Sequence, residues 1–377
     1  MDFSFSEIQM MLKKAARDFL EKECPKAMVR EMANKEEGYS RQLWHKMAEL
    51  GWLGLVFPTS YRGAGGSFLD LVILLEEMGR ALVPVPFFAT VVLGGLYILE
   101  AGSEEQKERL LPRVCSGDTL LTLALSESDA GCDTGSITVK AALHQDQYIL
   151  EGTKLFVPNA DVADHLLCVS RTKDGARPGE GITTFVVDAK SPGITCTPLK
   201  TIGRDKQFEV LFEKVIVPKE NILGEPDNGW ADIEKVLHKA TVALCADMNG
   251  GAQQVLDMTV NYAKDRVQFD RPIGSLQVVQ HRCADIAVAL EASRFLTYEA
   301  AWKISQGLPC DLEISMAKSQ ASECYTQATW LGMTIQGGVA FMEEHDLPLY
   351  YRRAKATEVS LGDADIHREM IARELGL

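Results

Sequence analysis

The 377-residue sequence lacks several patterns that define metal, disulfide-bonded or membrane proteins. Its nine cysteines are dispersed without a Cys-x-x-Cys pair, and its seven histidines form no His-Glu-x-x-His segment. These absences argue against a disulfide framework and against a zinc site. No apolar run approaches the ~20 residues that span a bilayer, and the N-terminal residues lack the features of a signal peptide. We therefore expect reduced thiols, no metal site, no membrane insertion and a cytoplasmic location.

Positive charge is also scarce. The chain has 39 Lys and Arg residues against 53 Asp and Glu residues, which gives a formal net charge of −14. The basic residues are scattered rather than gathered in one stripe, and this argues against nucleic acid as a partner. A few local arginines can still bind an anionic small ligand. Because the Gly-x-Gly-x-x-Gly fingerprint is absent, a Rossmann mode of dinucleotide binding is not expected.

The hydrophobic pattern changes twice along the chain. Ser6 can cap a first helix, and apolar residues then recur at three-to-four spacing up to about Gly117. One of these helices is predicted over 69–82. Short β-type runs separated by Gly, Pro, Asp and Lys follow, including 165–170 and 183–187, and long helical patterns return near Trp230, including 278–306. The pattern predicts an α+β fold with an N-terminal helical domain (1–118), a central β-barrel-like domain (119–228) and a C-terminal four-helix bundle (229–377).

Four segments of the sequence are similar to motifs of one known family. Ser126–Asp133 resembles T-E-P-x-A-G-S-D, and Lys154–Asn159 resembles K-x-W-I-T-N. Arg266–Gly274 resembles R-x-Q-F-G-R-P-I-G, and Gln336–Asp346 resembles H-G-G-x-G-F-x-x-E-H-D. The motifs occur in the expected order and span nearly the whole chain. On these motifs the sequence resembles an acyl-CoA dehydrogenase, a CH–CH oxidoreductase.

The resemblance implies a cofactor, a substrate and partners. The cofactor would be FAD, the substrate an acyl-CoA thioester, and the electron acceptor a protein such as electron-transfer flavoprotein. Contacts to FAD across subunits imply a dimer, a homotetramer or a heteromer with a paralogous subunit. The fold implied is the acyl-CoA dehydrogenase type.

The resemblance also assigns one set of residues to the flavin ring. Leu123, Leu125 and Ser126 match family residues that meet the polar edge of the flavin, and Phe156 matches an aromatic residue that flanks the ring. The alternative is that these are alternating strand residues in a β core. Two further positions belong to this set by the same resemblance: Cys132, which replaces a serine, and Val157.

A second set is assigned to the FAD of a neighbouring subunit. Arg266 and Phe269 would reach across a dimer interface, and Thr334, Gly337 and Gly338 would approach the cofactor in the same way. Paired glycines permit close backbone approach to an anionic group. The alternative for the glycines is a helix stop before a new turn.

The residue expected to act as the base is missing. Leu361 occupies the position of the glutamate that takes the α-proton in the best-known members of the family, and leucine cannot accept a proton. Some relatives carry the base on the first long C-terminal helix, at the position of Ala240. Asp247 lies seven residues later, on roughly the same helix face, and is our candidate base. The alternative for Asp247 is a carboxylate that pairs with an arginine or caps a helix. Three other acids near the motif are interpreted as solvated or structural: Glu358, Asp363 and Asp365.

Other departures concern the flavin site. Pro158 stands where the family has a threonine near the flavin, and proline supplies neither a hydroxyl nor an amide hydrogen. Gln336 replaces a frequent histidine, and Asp270 replaces a frequent glycine. These differences indicate a divergent branch, similar to those that act on cyclic, dicarboxylic or steroid-derived CoA esters.

Three functions agree with these residues. The first is an FAD-dependent dehydrogenase with a relocated base that oxidises an unusual acyl-CoA to its enoyl-CoA. The second is a base-less partner subunit of a heteromeric acyl-CoA dehydrogenase. The third is a flavin-containing lyase that eliminates a leaving group from an acyl-CoA without net oxidation.

Overall fold

The computed structural model describes residues 5–128, 136–174 and 179–377. By internal packing the described residues divide into two units. This division differs from the three predicted sequence segments, whose boundaries stay a prediction. The first unit contains the residues up to Glu31, Ser67–Val83 and Thr241–Leu377, and the second contains Met32–Gly66 and Pro84–Ala240.

The helices of the described residues are distributed over both units. Those lying wholly in the first unit are α1 (Glu7–Glu23), α4 (Phe68–Ala81), α8 (Gln277–Ser305), α9 (Asp311–Gln336), α10 (Leu347–Val359) and α11 (Ala364–Glu374). The second unit has α3 (Arg41–Glu49), α5 (Leu96–Ala101), α6 (Glu104–Cys115) and a π-helical segment (Phe88–Gly95). The unit boundaries fall within α2 (Lys26–Asn34) and α7 (Trp230–Asp265).

Serine caps begin several of these helices. The Ser6 side chain accepts a hydrogen bond from the backbone of Gln9, whose own side chain bonds back to the Ser6 amide. The prediction that Ser6 caps a helix is therefore confirmed. Ser67 begins α4 with the same reciprocal arrangement, using Asp70. Such boxes satisfy amide groups that have no partner inside the helix.

The first unit is built on close helix contacts. α4 is buried around most of its circumference and packs against α1 and α8, while α9 packs against α8, α10 and α11. Where α4 meets α7, a Cβ added to Gly79 would overlap the carbonyl oxygen of Asp247. A Cβ on Gly250 would overlap the carbonyl oxygen of Glu76. The two glycines let the backbones of α4 and α7 pack in direct contact. This contact fixes the position of Asp247 along α4. Within the described ranges, we find no helix with both the length and the apolar character for crossing a membrane.

The second unit contains a mixed sheet. Its strands follow the order β6-β7-β3-β2-β4-β5-β8, with β1 pairing in parallel with β4. The predicted central β segment is confirmed as this sheet, whose apolar core includes Phe185, Phe208 and Phe212. The strands are β1 (Leu121–Ala124), β2 (Lys140–His144), β3 (Gln147–Pro158), β4 (His165–Arg171), β5 (Ile182–Asp188), β6 (Ile194–Leu199), β7 (Gln207–Pro218) and β8 (Ile222–Leu223).

Candidate flavin and acid sites

A buried ion pair joins two of the sequence motifs inside the sheet unit. Lys154 Nζ donates to Glu127 Oε1 at 2.6 Å and to the Leu125 carbonyl at 2.9 Å. Glu127 also accepts from the amides of Thr138 and Val139 at 2.9 and 3.2 Å. Burial raises the pKa of Glu127, but the charge of Lys154 and these hydrogen bonds outweigh it and hold the pKa below its usual value. The Lys154–Glu127 ion pair therefore holds the backbone at Leu125, directly after β1.

Sequence reasoning did not identify this pair. Glu127 and Lys154 both stand in quoted motifs, and the available signal was the charge of Lys154 within the strand-forming run Gln147–Pro158. Lys154 is 0% exposed and Glu127 is 5% exposed, so neither side chain is placed to contact a ligand directly. Their effect on a flavin site is exerted through the backbone that they hold.

The predicted flavin-ring residues lie on neighbouring segments of this unit. The Ser126 carbonyl accepts from the Leu155 amide at 2.8 Å, which pairs the end of β1 with β3. Leu123 and Val157 are buried. Phe156 is 58% exposed and has a φ of +53°, at a register shift between β3 and β7. The bulge thus presents an exposed aromatic side chain beside the buried Val157.

Two neighbouring positions complete this region. The Pro158 carbonyl accepts a hydrogen bond from the Thr122 hydroxyl at 2.6 Å. Proline has no amide hydrogen or hydroxyl, so Pro158 offers no donor of its own to a ligand. Cys132, the other predicted contact in this set, lies outside the described residues.

In the helical unit, a short hairpin presents Phe269. Strands β9 (Val267–Gln268) and β10 (Arg271–Pro272) are joined by a two-residue turn, Phe269–Asp270. Both turn residues have positive φ, +55° and +61°, which is the arrangement of a type I′ turn. Phe269 is 82% exposed, and Arg266 at the base of the hairpin is also exposed. The turn therefore projects a large apolar ring into solvent.

Asp270 occupies a turn position that favours glycine, so Asp270→Gly should stabilise the protein. Glycine adopts positive φ without the steric cost that a Cβ brings. Relief of the left-handed backbone is worth about 1–2 kcal/mol and the extra entropy cost of glycine is about 0.5–1 kcal/mol, so we expect the free energy of unfolding to rise by about 0.5–1 kcal/mol, measured by denaturant unfolding. Asp270→Ala is the control and should be less stable than the native protein, because alanine keeps the Cβ and lacks a polar side chain. An alanine variant as stable as the glycine variant would contradict this account.

The second part of the predicted cofactor surface is the end of α9. Gly337 has φ +69° and ψ −143°, a conformation that is essentially restricted to glycine. A Cβ added to Gly337 or Gly338 would meet no atom within 4 Å. Internal packing therefore gives no reason for glycine at position 338, whereas the close approach of a ligand or a partner chain does. Thr334 is exposed, and its hydroxyl donates to the Trp330 carbonyl at 2.8 Å.

The hairpin and the end of α9 belong to one region of the helical unit. Ile273, just after the hairpin, packs in a small apolar cluster with Ala263 and Val279. Ile335, between Thr334 and the glycines, packs against the same cluster. The two segments that carry the residues predicted to approach a neighbouring subunit's FAD therefore adjoin one apolar cluster, and the FAD contacts themselves stay a prediction: Arg266, Phe269, Thr334, Gly337 and Gly338.

Asp247, the candidate base, is held by an arginine. It is 6% exposed, and Arg353 of α10 donates Nη2 to Oδ1 at 3.0 Å and Nε to Oδ2 at 3.2 Å. Ala240, the position used in some relatives, is fully buried and carries no acid. The observed geometry is that of the alternative interpretation, in which Asp247 pairs with an arginine. Its role as a base stays a prediction.

Position 361 lies in the turn between α10 and α11. Leu361 is half-buried and has a φ of +58°, and its carbonyl is 2.9 Å from His367 Nε2. The three acids near this turn have local contacts, in agreement with their structural interpretation. Glu358 pairs with Lys355, Asp363 caps α11, and Asp365 pairs with Arg368.

Comparison with known proteins places these features in a family. Three family models match in order: Acyl-CoA dehydrogenase, N-terminal domain, over residues 6–118; middle domain, over 122–215; and C-terminal domain, over 227–376. The probable acyl-CoA dehydrogenase YngJ of Bacillus subtilis (strain 168) is 33% identical, with 100% of each chain covered. The chain therefore belongs to the acyl-CoA dehydrogenase family, whose members are FAD-dependent flavoproteins.

Two solved structures add detail. The ChsE4-ChsE5 complex from Mycobacterium tuberculosis superposes with a TM-score of 0.91 at 30% identity, covering 100% of this chain and 99% of that one. The Tcur3481-Tcur3483 steroid ACAD gives a TM-score of 0.87 at 30% identity, with 98% of each chain covered. Both descriptions name two components.

The described residues fit a flavin cofactor. Phe156 offers an exposed aromatic face on one unit, as flat contact with a ring requires. On the other unit, the open space at Gly338 and the exposed Arg266 suit an anionic group that approaches the backbone. These features suit the ring and the anionic part of a flavin, and the assignment of the individual residues to them stays a prediction.

Proposed function

We propose that this chain is an FAD-binding subunit of a heteromeric acyl-CoA dehydrogenase that supplies no proton-abstracting base of its own. The observation that carries the proposal is the bidentate Arg353–Asp247 pair, together with leucine at position 361. Asp247, the acid that could replace the missing glutamate, is already paired with Arg353. Leu361, at the usual position of the glutamate, cannot accept a proton. A paralogous subunit would supply the base and share the cofactor.

Arg353 already occupies both carboxylate oxygens of Asp247. Its guanidinium donates Nη2 to Oδ1 at 3.0 Å and Nε to Oδ2 at 3.2 Å. An effective general base instead needs a lone pair directed at the substrate and a pKa suited to the working pH. Asp247 is better suited to holding α10 against α7.

The chain's own residues have defined tasks in this proposal. When bound, FAD supplies the acceptor for the hydride that leaves the acyl β-carbon. Phe156 would flank the ring and exclude water from one side, while the backbone at Leu125 and Ser126 would orient its polar edge. Arg266 and the backbone at Gly337 and Gly338 would bind the anionic part of the FAD belonging to a neighbouring subunit.

We further propose a steroid-derived acyl group as the substrate class, with electron-transfer flavoprotein as the electron acceptor. Support comes from the likeness to the Tcur3481-Tcur3483 protein, whose description includes the word steroid. Two-component assembly is supported by the same likeness and by that to the ChsE4-ChsE5 complex. The loss of a hydroxyl donor at Pro158 agrees with a divergent site rather than with a standard straight-chain enzyme.

The visible spectrum of the purified chain tests the proposal. Expressed alone, the chain should bind less than one FAD or should bind FAD without being bleached by CoA thioesters, because no base is present. Asp247→Asn should leave this behaviour unchanged. Co-expression with a paralogous subunit that carries the base should produce bleaching by a steroid-derived acyl-CoA, and substitution of the partner's base should remove it.

Asp257→Asn is the matched control for Asp247. It lies on the same helix and pairs with an arginine, Arg80, at 2.6 Å, but it is more exposed. If the native chain alone is bleached, and Asp247→Asn but not Asp257→Asn abolishes bleaching, Asp247 is the relocated base and the partner-subunit proposal is wrong. A desaturated product formed without reduction of an acceptor dye would instead identify the lyase.

A further inference from the structure

The turn that carries residue 361 is fixed from two sides by side chains with no assigned role. Lys318 on α9 is 0% exposed, and its ammonium group donates to Ser322 Oγ at 2.9 Å, the Glu358 carbonyl at 3.0 Å and the Gly362 carbonyl at 2.7 Å. All three ammonium hydrogens therefore have acceptors. Two of those acceptors bracket residue 361.

The position of Lys318 follows from helix electrostatics. The Glu358 carbonyl is among the last four of α10, which have no partner inside the helix and carry partial negative charge. A buried cation at this end satisfies the carbonyl and is stabilised by it. Burial lowers the pKa of Lys318, while the nearby carboxylates of Asp363 and Glu358 act in the opposite direction. The cost of burying this lysine indicates a task that an apolar residue could not perform.

His367 contacts the carbonyl between these two acceptors. Its Nε2 lies 2.9 Å from the Leu361 oxygen, and His367 is 4% exposed. Leu361 adopts φ +58°, which is unfavourable for a leucine and persists only where surrounding contacts determine the backbone. Asp363 caps α11 immediately afterwards, accepting from the amides of Asp365 and Ile366 at 3.1 and 2.9 Å.

We infer that Lys318 and His367 are positioning residues: they form a clamp on the carbonyls of residues 358, 361 and 362 that sets where the side chain of residue 361 is presented. The inference rests on the proposed function, because it assigns the clamp to the position at which the family carries its base. The hydrogen bonds of the clamp to the carbonyls of residues 358, 361 and 362 engage backbone, so they act on whichever side chain stands at 361. In this chain the clamp presents the apolar side chain of Leu361 where other family members present a carboxylate.

Hydrogen–deuterium exchange of the holoprotein tests the clamp without measuring activity. Lys318→Met should raise the exchange rate of amides in the 358–363 turn by about tenfold or more, as expected when a charge-assisted hydrogen bond is lost. Lys355→Met is the control, since Lys355 pairs with the half-buried Glu358 carboxylate and its loss should leave the turn unchanged. Equal exchange in the native and Lys318→Met proteins would overturn the inference.

His367 provides a variant that keeps the fold if Lys318→Met does not. His367→Ala should raise exchange in the same turn, whereas His367→Gln, whose amide N–H can still donate to the Leu361 oxygen, should restore protection. Protection that is equal in the alanine and glutamine variants would show that this contact does not hold the turn.

A second readout separates the clamp from the proposed function. In a Leu361→Glu background, Lys318→Met should lower the rate of substrate-dependent flavin bleaching about tenfold or more, with the dissociation constant of the acyl-CoA unchanged. If Leu361→Glu brings no bleaching while the exchange results hold, the proposed function fails and the clamp stands. If bleaching is gained and survives Lys318→Met at full rate, the clamp is wrong and the proposed function stands.

Discussion

Lys154→Met should lower the free energy of unfolding by about 3–5 kcal/mol, the range measured when one partner of a buried ion pair is removed. The reason is that Glu127, with a side chain 3% exposed, would be left as a buried carboxylate without its cation. The Leu125 carbonyl would lose its hydrogen bond in the same change. Denaturant unfolding followed by far-UV circular dichroism measures the loss, and FAD content should fall with it.

The pH dependence of this loss has a definite sign. The folded-state pKa of Glu127 is below its ordinary value of 4.5, so its contribution to stability is fully present above that value. It is lost as the pH falls through the lower folded-state pKa. The difference in stability between the native protein and Lys154→Met should therefore shrink in acid.

Two further variants make the interpretation specific. Lys154→Met combined with Glu127→Gln removes the unpaired charge and should recover a large part of the stability. Lys173→Met is the matched control, because Lys173 pairs with Asp227 at 3.0 Å while 59% of its side chain is exposed. Such surface pairs are worth about 0–1 kcal/mol. A loss in Lys154→Met no larger than in the control would show that the pair does not hold the sheet unit.

Much of the secondary structure was predictable from local signals. The helix predicted over 69–82 is observed as Phe68–Ala81, and the one predicted over 278–306 as Gln277–Ser305. Strands were predicted over 165–170 and 183–187, where the structure has His165–Arg171 and Ile182–Asp188. These elements are apolar-rich runs bounded by capping or turn-forming residues such as Ser67, Gly181 and Gly307, so sequence and structure agree to within a residue or two.

Other elements gave weak signals. The helix Leu347–Val359 was not predicted: it contains proline in its first turn, and its apolar residues show little helical periodicity. The π-helical segment Phe88–Gly95 is apolar on all sides, so it gives no periodic signal at all.

The contacts of the candidate site could not be predicted from local sequence signals. The resemblance placed Asp247 on the correct helix, but its partner Arg353 is 106 residues away in the sequence, and no local pattern reports that contact. The carbonyl acceptors of Lys318 are likewise 40 and 44 residues distant. Three functional candidates, Phe156, Phe269 and Leu361, have positive φ, which is uncommon for large side chains and depends on tertiary contacts. These features follow from packing rather than from local propensity.

Leu361→Glu should give the lone chain substrate-dependent flavin bleaching, with a rate at least about 100-fold above that of the native chain, since a positioned general base contributes roughly 10²–10⁴. The turn that carries residue 361 is held through its backbone by Lys318 and His367, so a new side chain should be presented in the same place. Leu361 is half-buried, so replacing it should not create a cavity in the apolar core. Anaerobic stopped-flow absorbance with a panel of CoA thioesters measures the gain.

Leu361→Gln is the control that distinguishes a base from a change of shape. Glutamine has nearly the same size as glutamate and can bind the same hydrogen-bond partners, but it cannot take a proton at working pH. Bleaching in the glutamate variant alone would show that a carboxylate at this position is the missing component, and that the flavin surfaces of the chain are competent. If both variants bind FAD and neither is bleached by any thioester, a missing carboxylate at position 361 does not account for the lack of bleaching, and the proposed function fails. If the glutamine variant is bleached as fast as the glutamate variant, residue 361 does not act as a base, and proton abstraction by another carboxylate such as Asp247 follows.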